Sequence, residues 1–321
     1  MDWKEKFLEL LVSNDVNMYG EALDLKGKNF PKKLYRYRSV SDQSIQLRIR
    51  EIVFGEVYLS HPKEFNDPLE ASSLLQYSNL SRYLSESKEK YKELFSKRLE
   101  PERFSSIFGE EDWFEQLVIF VAEQTALSEK VDTTKKLLGE IIRQEVEEFN
   151  FEVNRVSRNN IRIACFTTKP DNLPMWHHYA DGHKGVCLEY NTDDIADIYQ
   201  RNRLLPVFYV NHLPDITYMM MNKMQPKFDL FKYMSIHKLK DWEYEDEWRL
   251  LYDAGSWFRS PEDVPEEFWD CGRLISFIRP SRIILGINIE ERHEKEIRRT
   301  AKMGNILVEK AEKTQYGLKF S

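Results

Sequence analysis

The order of apolar and polar positions along the chain predicts a β core that is interrupted by a long helical stretch. Residues 2–12 carry apolar side chains at helical spacing, and Asn29-Phe30-Pro31 then breaks the chain. Residues 1–30 are therefore predicted to form a helical N-terminal segment. Residues 34–38 alternate in the manner of a strand, and strand-like runs return after residue 160.

The stretch from about residue 74 to residue 158 differs from both of its flanks. It is rich in Glu, Lys, Leu and Phe, has a long 3.6-residue periodicity and contains few strand signals. It predicts three helices, at roughly 78–99, 111–128 and 132–151, with a break at Gly109. We interpret it as a helical insertion that forms a lid or a packing layer.

The remaining segments complete an α+β prediction. Strand patterns cover residues 52–60 (a pair, or one strand with a turn), 162–167, 185–190, 207–210, 243–252, 282–286, 306–309 and 316–320, and helical patterns cover 41–50, 172–179, 215–240 and 289–303. Strands and helices do not alternate regularly enough for a doubly wound sheet. We expect one α+β domain over residues 31–321, with a mixed or antiparallel central sheet and flanking helices.

Charge and cysteine content narrow the class of protein. The net charge of −7 argues against bulk nucleic-acid binding, but it is compatible with a local basic pocket for a phosphate-bearing small molecule. The three cysteines have no metal-type spacing and suit a reducing compartment. No signal-peptide pattern and no apolar run of about 20 residues is present. We therefore predict a cytoplasmic protein without a membrane partner.

Two arginines and two tyrosines alternate in the first predicted strand. Side chains point to opposite faces of a strand in turn, so Arg36 and Arg38 share one face and Tyr35 and Tyr37 the other. Paired arginines suit bidentate binding of phosphate or carboxylate. The alternative is an edge strand whose arginines are solvated.

The segment Phe65-Asn66-Asp67-Pro68 is a turn signature, because Asn and Asp bond to their own backbone and Pro restricts the next residue. A tight structural turn is one interpretation. The other has Asn66 or Asp67 contacting the hydroxyls of a ligand.

Residues 175–185 contain the densest group of functional side chains. On a short helix, Trp176 and Tyr179 lie on one face and could stack on a nicotinamide or an adenine, although two aromatic residues can equally close a core. His177 and His183 are six residues apart, which is no zinc-type spacing, so we predict no metal site.

The segment Trp242–Arg249 is the most acidic candidate. In a strand, Glu243, Glu245 and Glu247 would share a face, and neighbouring carboxylates have raised pKa values unless cations or hydroxyls intervene. A pair of acids spaced by one residue could hold a sugar hydroxyl and activate an attacking group. A solvated acidic face paired with Lys238, Lys240 and Arg249 is the alternative.

Together these segments resemble the bacterial domain-of-unknown-function family 2971. The signatures are LYRYRS, YLSHPKEFNDPLE, IACFTTKPDNLPMWHHYADGHKGVCLEY, WEYEDEWRL and IILGI, in this order over residues 33–290. This resemblance implies an association with mobile and phage-defence gene neighbourhoods.

The order of the motifs is also similar to that of ADP-ribosyltransferases. That resemblance implies that Arg36 or Arg38 binds a pyrophosphate, that Trp176 or Tyr179 stacks on nicotinamide, and that Glu245 or Glu247 stabilises the oxocarbenium-like ribose. The middle motif, Cys165-Phe166-Thr167-Thr168, departs from the Ser-Thr-Ser of those enzymes.

Three functions remain open: an NAD-consuming transferase or glycohydrolase, a metal-independent nuclease or phosphodiesterase, and a nucleotide-binding sensor without catalysis. The nuclease would use His177, His178 or His183 as acid or base, with Arg38 and Lys238 on the phosphate. The expected partner is a nucleotide-like small molecule, with NAD as the candidate substrate of the first function, no tightly bound cofactor, and a protein or nucleic acid as a possible target. The predicted catalytic residues are Glu245, Glu247 and Arg38, and the predicted ligand-binding residues are Tyr35, Arg36, Ser60, Asn66, Asp67, Trp176, His177, Tyr179, His183, Lys238 and Arg249.

Overall fold

The computed structural model of the chain describes residues 2–13, 15–74, 88–96, 99–109, 113, 116–117, 120, 131–217, 219, 230–260, 263–315 and 317–321. The chain divides into two compact units. The first comprises residues 1–72, 157–212 and 226–321, and the second comprises residues 73–156 and 213–225.

The first unit is built on an eight-stranded mixed sheet, which confirms the predicted α+β class. Its strands are β1 Lys33–Arg38, β3 Ile161–Thr167, β4 Val186–Asn191, β5 Leu204–Pro206, β8 Glu247–Asp253, β10 Arg282–Leu285, β11 Leu307–Thr314 and β12 Gly317–Phe320. Their order across the sheet is β12-β11-β10-β4-β1-β3-β8-β5, and among these described strands only β10 and β11 run parallel. Two short pairs flank the sheet: β2 Glu56–Leu59 with β9 Arg273–Ser276, and β6 Phe208–Val210 with β7 His237–Leu239.

Both faces of the sheet are covered, because alternate residues of each strand enter different cores. One core contains Leu34, Phe166 and Trp248. On the other face, Tyr35 and Tyr37 pack with residues of the helix Leu173–Tyr179, while Ile163 and Leu251 join a core that includes the N-terminal helix. The central strands are therefore buried on both sides.

The helices of the first unit are α1 Trp3–Leu11, α2 Val16–Lys28, α3 Ile45–Phe54, α7 Leu173–Tyr179, α8 Ile198–Arg203, α9 Leu230–Ser235 and α10 Glu291–Met303. Helix α3 runs to Phe54, so the prediction of strand structure from residue 52 is wrong at its start. The helix continues because Ile52 completes a buried stripe with Arg48 and Glu51, and Gly55, with φ of 63°, ends it.

The second unit is mainly helical where it is described. It contains α4 Lys88–Phe95, α5 Pro101–Phe108 and most of α6 Val131–Asn160. Helix α6 extends well past the predicted end at residue 151, because residues 140–160 contain neither glycine nor proline. Leu74 bridges Asp215 and so links the two segments of the unit. Most of the predicted helix at 111–128 lies outside the described residues.

Two further predictions are corrected around residues 215–247. One helix was predicted over residues 215–240. From residue 230 onward, the chain forms the short helix α9 and then strand β7 in place of the last predicted helical residues. Residues 218 and 220–229 lie outside the described part of the chain. The strand predicted from residue 243 begins only at Glu247. Residues Lys240–Glu245 form a 3₁₀ helix, which Asp246 ends in the left-handed conformation with φ of 43°.

Gly185, just before β4, has no room for a side chain. A Cβ there would collide with the Arg38 carbonyl oxygen and with Ala180 Cα, so we expect Gly185→Ala to destabilise the fold by about 1–3 kcal/mol. Gly20 in α2 is the matched control, since it has nothing within 4 Å, and Gly20→Ala should stabilise by about 0.5–1 kcal/mol. Urea unfolding measures both changes. An unaltered midpoint for Gly185→Ala would refute the packing argument.

Candidate functional site

A pocket of about 310 Å³ lies within the first unit, where β1 and β3 separate. The two strands pair at one position, Tyr35 with Thr167. Four residues further back along β3, Ile163 instead exchanges both backbone hydrogen bonds with Ser60, at 2.7 and 2.9 Å. The edge of β3 around Cys165 is thus open to the pocket, and side chains from both faces of the sheet reach it.

The acidic wall of the pocket is formed by Glu245 and Glu247. Both carboxylates are nearly inaccessible, and Lys238 Nζ connects them at 2.6 Å from Glu245 Oε2 and 3.3 Å from Glu247 Oε2. Their convergence does not come from the predicted strand face, because Glu245 ends the 3₁₀ helix and Glu243 is exposed. The left-handed Asp246 makes the connection, and its side chain accepts a hydrogen bond from the Thr168 hydroxyl.

The pKa values of the two acids are shifted in opposite directions. Burial raises the pKa of Glu245 above its usual range, and the charge of Glu247 adds to that rise. Burial also opposes ionisation of Glu247, but the attraction of Arg249 and Lys238 prevails and lowers its pKa to about 2. Two acids whose pKa values are pushed apart are typical of catalytic acid–base pairs.

Arg249 supports the acidic wall from beneath and does not line the pocket. It is fully buried, and its guanidinium bonds to Glu247 through Nε at 2.8 Å and Nη2 at 3.1 Å. The same group binds Glu70 at 2.5 and 3.0 Å. The predicted ligand contact of Arg249 is therefore replaced by a structural ion pair, since its donors face protein carboxylates.

Lys238 also faces protein groups. Besides the two glutamates, its ammonium lies 4.6 Å from the centre of the Trp242 ring. The attraction of the glutamates outweighs the effect of burial, so the pKa of Lys238 is raised. Lys238 lines the pocket as a permanent positive charge between two acids.

Helix α7 contributes Tyr179, whose hydroxyl donates a 2.6 Å hydrogen bond to Glu245 Oε1. Its neighbour Trp176 has no exposed surface, donates to the Pro170 carbonyl at 2.9 Å and packs edge-on against Tyr37. Trp176 cannot stack on a ligand in this position, so the predicted paired aromatic surface is reduced to Tyr179. Trp176 is instead a core residue that holds α7 on β1.

The basic wall comes from Arg36 and Arg38 of β1. Arg36 is 4% exposed and donates to the Tyr58 carbonyl at 2.7 Å, while Arg38 is more accessible. Tyr35 lies beside Glu189, and burial followed by the nearby charge raises its pKa to about 12.

The other predicted residues divide into two groups. Ser60 and Asn66 line the pocket. Asp67 does not, because its carboxylate accepts the Leu69 N–H at 2.9 Å and closes the turn. His177 is exposed outside the pocket lining, and His183 stacks on Trp176 with its ring 5.9 Å away.

Several pocket residues are absent from the predicted catalytic and ligand-binding residues, among them Glu64, Cys165, Phe166 and His178. His178 was considered only as an acid or base of the nuclease. Cys165 was named only in the middle motif, and its exposure to the pocket depends on the separation of β1 from β3.

The described residues contain no group of three His, Cys, Asp or Glu side chains that could hold a metal ion. All three cysteines are free. No helix within the described ranges is long and apolar enough to cross a membrane.

Comparison with curated proteins and with solved structures gave no match. A family model matches residues 175–250, which contain α7 from Met175 onward, Lys238 and the acidic wall but not the arginines of β1. Within residues 175–250 the match confirms the family resemblance expected from the sequence; the family is described as a protein of unknown function, DUF2971.

Proposed function

We propose that the pocket binds NAD and cleaves its N-glycosidic bond, with transfer of ADP-ribose to water or to a macromolecular target. One observation carries the proposal: a single pocket joins two arginine side chains, which suit phosphate, to a pair of carboxylates with pKa values shifted in opposite directions. The volume, about 310 Å³, is at the lower end of small-molecule sites. We infer that part of the dinucleotide extends beyond it.

The proposed chemistry needs negative charge near the ribose. When the bond between C1′ and the nicotinamide nitrogen breaks, its electron pair leaves with nicotinamide, and positive charge develops on the ribose. Ionised Glu247 supplies a fixed negative charge close to this centre, and its position is held by Arg249.

Glu245 has the role of proton acceptor in this proposal. Its raised pKa makes it a better base than an ordinary glutamate, while Tyr179 and Lys238 fix its orientation. Water or an acceptor hydroxyl attacks C1′, and its proton passes to Glu245. The products are nicotinamide and ADP-ribose, free or attached to the acceptor.

The direct test is to incubate the purified chain with NAD and to quantify nicotinamide by chromatography. We expect release in the presence of water alone or of an added protein or nucleic-acid target. Absence of release with every acceptor, together with absence of NAD binding by calorimetry, would eliminate the proposal. Binding without release would favour the sensor function.

The hydrogen bond from Tyr179 predicts a pH effect. It stabilises the ionised form of Glu245, so Tyr179→Phe should raise the pKa of Glu245 further. Because a base must be deprotonated, activity should rise with pH through the pKa of Glu245, and this limb should move to higher pH in the variant. The pH profile of kcat/KM for nicotinamide release measures the shift. Tyr244→Phe is the control. Tyr244 lies next to Glu245 in the 3₁₀ helix, and it binds Asn172 through its backbone carbonyl, which the substitution leaves in place.

The nuclease alternative is less well supported by the pocket. Lys238, which would bind phosphate in that mechanism, is occupied by Glu245 and Glu247, and of the three histidines considered only His178 lines the pocket. A cytoplasmic location belongs to the proposal as well, because free thiols and NAD suit that compartment.

A further inference from the structure

Three arginine side chains converge on one buried carboxylate behind the basic wall. Glu51 of α3 has no exposed surface. Its Oε2 lies 2.9 Å from Arg48 Nε, and its Oε1 lies 3.5 Å from Arg38 Nε and 3.7 Å from Arg36 Nη1. We call Arg36, Arg38, Arg48 and Glu51 the arginine cluster.

The arginine cluster holds more positive charge than its own carboxylate can neutralise. Three guanidiniums surround one glutamate, which leaves an excess of two positive charges. Arg36 and Arg48 are 4% and 1% exposed, so water screens little of this charge. Burying charge without a partner is costly, and such an excess is typical of a site that receives an anion.

Hydrogen bonding in the cluster is equally incomplete. Arg36 Nη1 and Arg38 Nε approach Glu51 only at 3.7 and 3.5 Å, without hydrogen-bond geometry, and Arg48 Nε lies 2.9 Å from Glu51 Oε2 but is not aligned to donate to it. The hydroxyl of Tyr190, on the neighbouring β4, has no partner either. Buried polar atoms are normally satisfied, so the poorly paired N–H groups have capacity for a ligand that accepts hydrogen bonds, and Arg36 and Arg38 are the two of these residues that line the pocket.

The groups around the arginine cluster do not neutralise its excess positive charge. Phe166 lies under the Arg36 guanidinium, 5.7 Å from its ring centre. The nearby pocket residue Glu64 is exposed and is already bonded by the Tyr58 hydroxyl at 3.0 Å and the Gly272 N–H at 3.2 Å. Burial, together with repulsion from Arg38, lowers the pKa of Arg36 to about 10 and that of Arg48 to about 9, which agrees with a cluster that lacks an anion.

We propose that the arginine cluster is a receptor for a doubly charged phosphate group, with Arg36 and Arg38 as its contacts in the pocket and Arg48 and Glu51 as positioning residues. This inference rests on the proposed function in taking the pocket as a nucleotide site. Beyond the proposed function, the inference specifies that the recognised group carries two negative charges. A pyrophosphate bridge with one charge on each phosphorus and a terminal phosphate monoester both provide two charges.

Glu51 determines the net charge of the proposed phosphate receptor. Glu51→Gln keeps the size of the side chain and raises the excess from two to three positive charges. We expect the variant to unfold at a lower temperature without ligand and to bind inorganic pyrophosphate about tenfold more tightly. A purely structural glutamate would give the first effect without the second.

The test uses calorimetric titration with inorganic pyrophosphate, at an ionic strength held constant with chloride. Arg38→Gln, which removes an accessible contact, should weaken binding about tenfold or more. Arg50→Gln is the matched control on the same helix, because Arg50 is exposed and pairs with Glu56. Equal affinity in the wild type, Arg38→Gln, Glu51→Gln and Arg50→Gln, or no binding beyond that of chloride, would overturn the receptor.

A second series distinguishes the sources of the phosphate. Tighter binding of AMP than of ADP-ribose identifies a terminal monoester, and the reverse identifies a pyrophosphate bridge. Failure here is separable from failure of the proposed function. Pyrophosphate binding that responds to Glu51→Gln supports the receptor even if NAD is never cleaved, whereas NAD cleavage with unaltered pyrophosphate affinity in these variants refutes the receptor alone.

Discussion

Replacing Glu245 by glutamine is expected to slow NAD cleavage by about a thousandfold, within the range of roughly 10²–10⁴ for loss of a general base. The amide keeps the size of the side chain and can still meet Tyr179 and Lys238, but it cannot accept a proton. The effect should appear in kcat, because the residue acts on the attacking group. Binding of ADP-ribose should change little.

The comparison variant for this experiment is Glu243→Gln. Glu243 is exposed on the same 3₁₀ helix and two residues away, so it carries the same change of charge without access to the pocket. Nicotinamide release by both variants, followed under single-turnover conditions, separates a local chemical effect from a general one. Equal rates for Glu245→Gln and the wild type would remove Glu245 from the mechanism.

Arg249→Met is expected to cost about 3–5 kcal/mol of folding free energy, which is enough to unfold many domains. The substitution leaves Glu247 and Glu70 buried without the guanidinium that binds both of them. Arg249 is 0% exposed, so solvent cannot replace it. Urea unfolding at neutral pH measures the loss, and Arg50→Met, at an exposed ion pair, should change stability by less than about 1 kcal/mol.

The same network predicts a loss of stability in acid. The pKa of Glu247 is lowered to about 2 in the folded chain, from an ordinary value of 4.5. A depressed folded-state pKa stabilises the protein above the unfolded pKa, and this contribution disappears as the pH falls from about 4.5 towards 2.

A change of less than about 1 kcal/mol on Arg249→Met would contradict the central role of Arg249.

Local patterns predicted much of the sheet. The alternation in residues 34–38 gave β1 with its arginines and tyrosines on opposite faces, and β3, β4 and β10 begin and end within one or two residues of their predicted bounds. These strands are buried on both sides and rich in β-branched and aromatic residues, so tertiary packing reinforces their local preference.

The acidic wall illustrates where periodicity fails. A regular strand from residue 243 would have aligned three glutamates, but Asp246 adopts the left-handed conformation, and Glu243 turns to solvent. A positive φ at aspartate is uncommon, and no repeating pattern predicts it. The prediction that Glu245 and Glu247 act together therefore rested on an incorrect secondary structure, although the two side chains do meet at Lys238.

Local sequence patterns did not predict the contacts between distant segments. Arg249 and Glu70 are 179 residues apart in the sequence. Trp176 was predicted to stack on a ligand, because the local sequence does not show that it is buried against Tyr37 of the sheet. Arg48 and Glu51 look like ordinary surface residues of an amphipathic helix. Their burial against β1 follows from the packing of α3, which no local pattern specifies.

A crystal structure of the chain with ADP-ribose would test the central claim most directly, because that claim is that one pocket serves both the phosphate and the ribose. We predict that the pyrophosphate lies against Arg36 and Arg38, and that hydroxyls of the terminal ribose lie within hydrogen-bond distance of Glu245. A pyrophosphate bound elsewhere, or a ribose directed away from Glu245 and Glu247, would contradict the account.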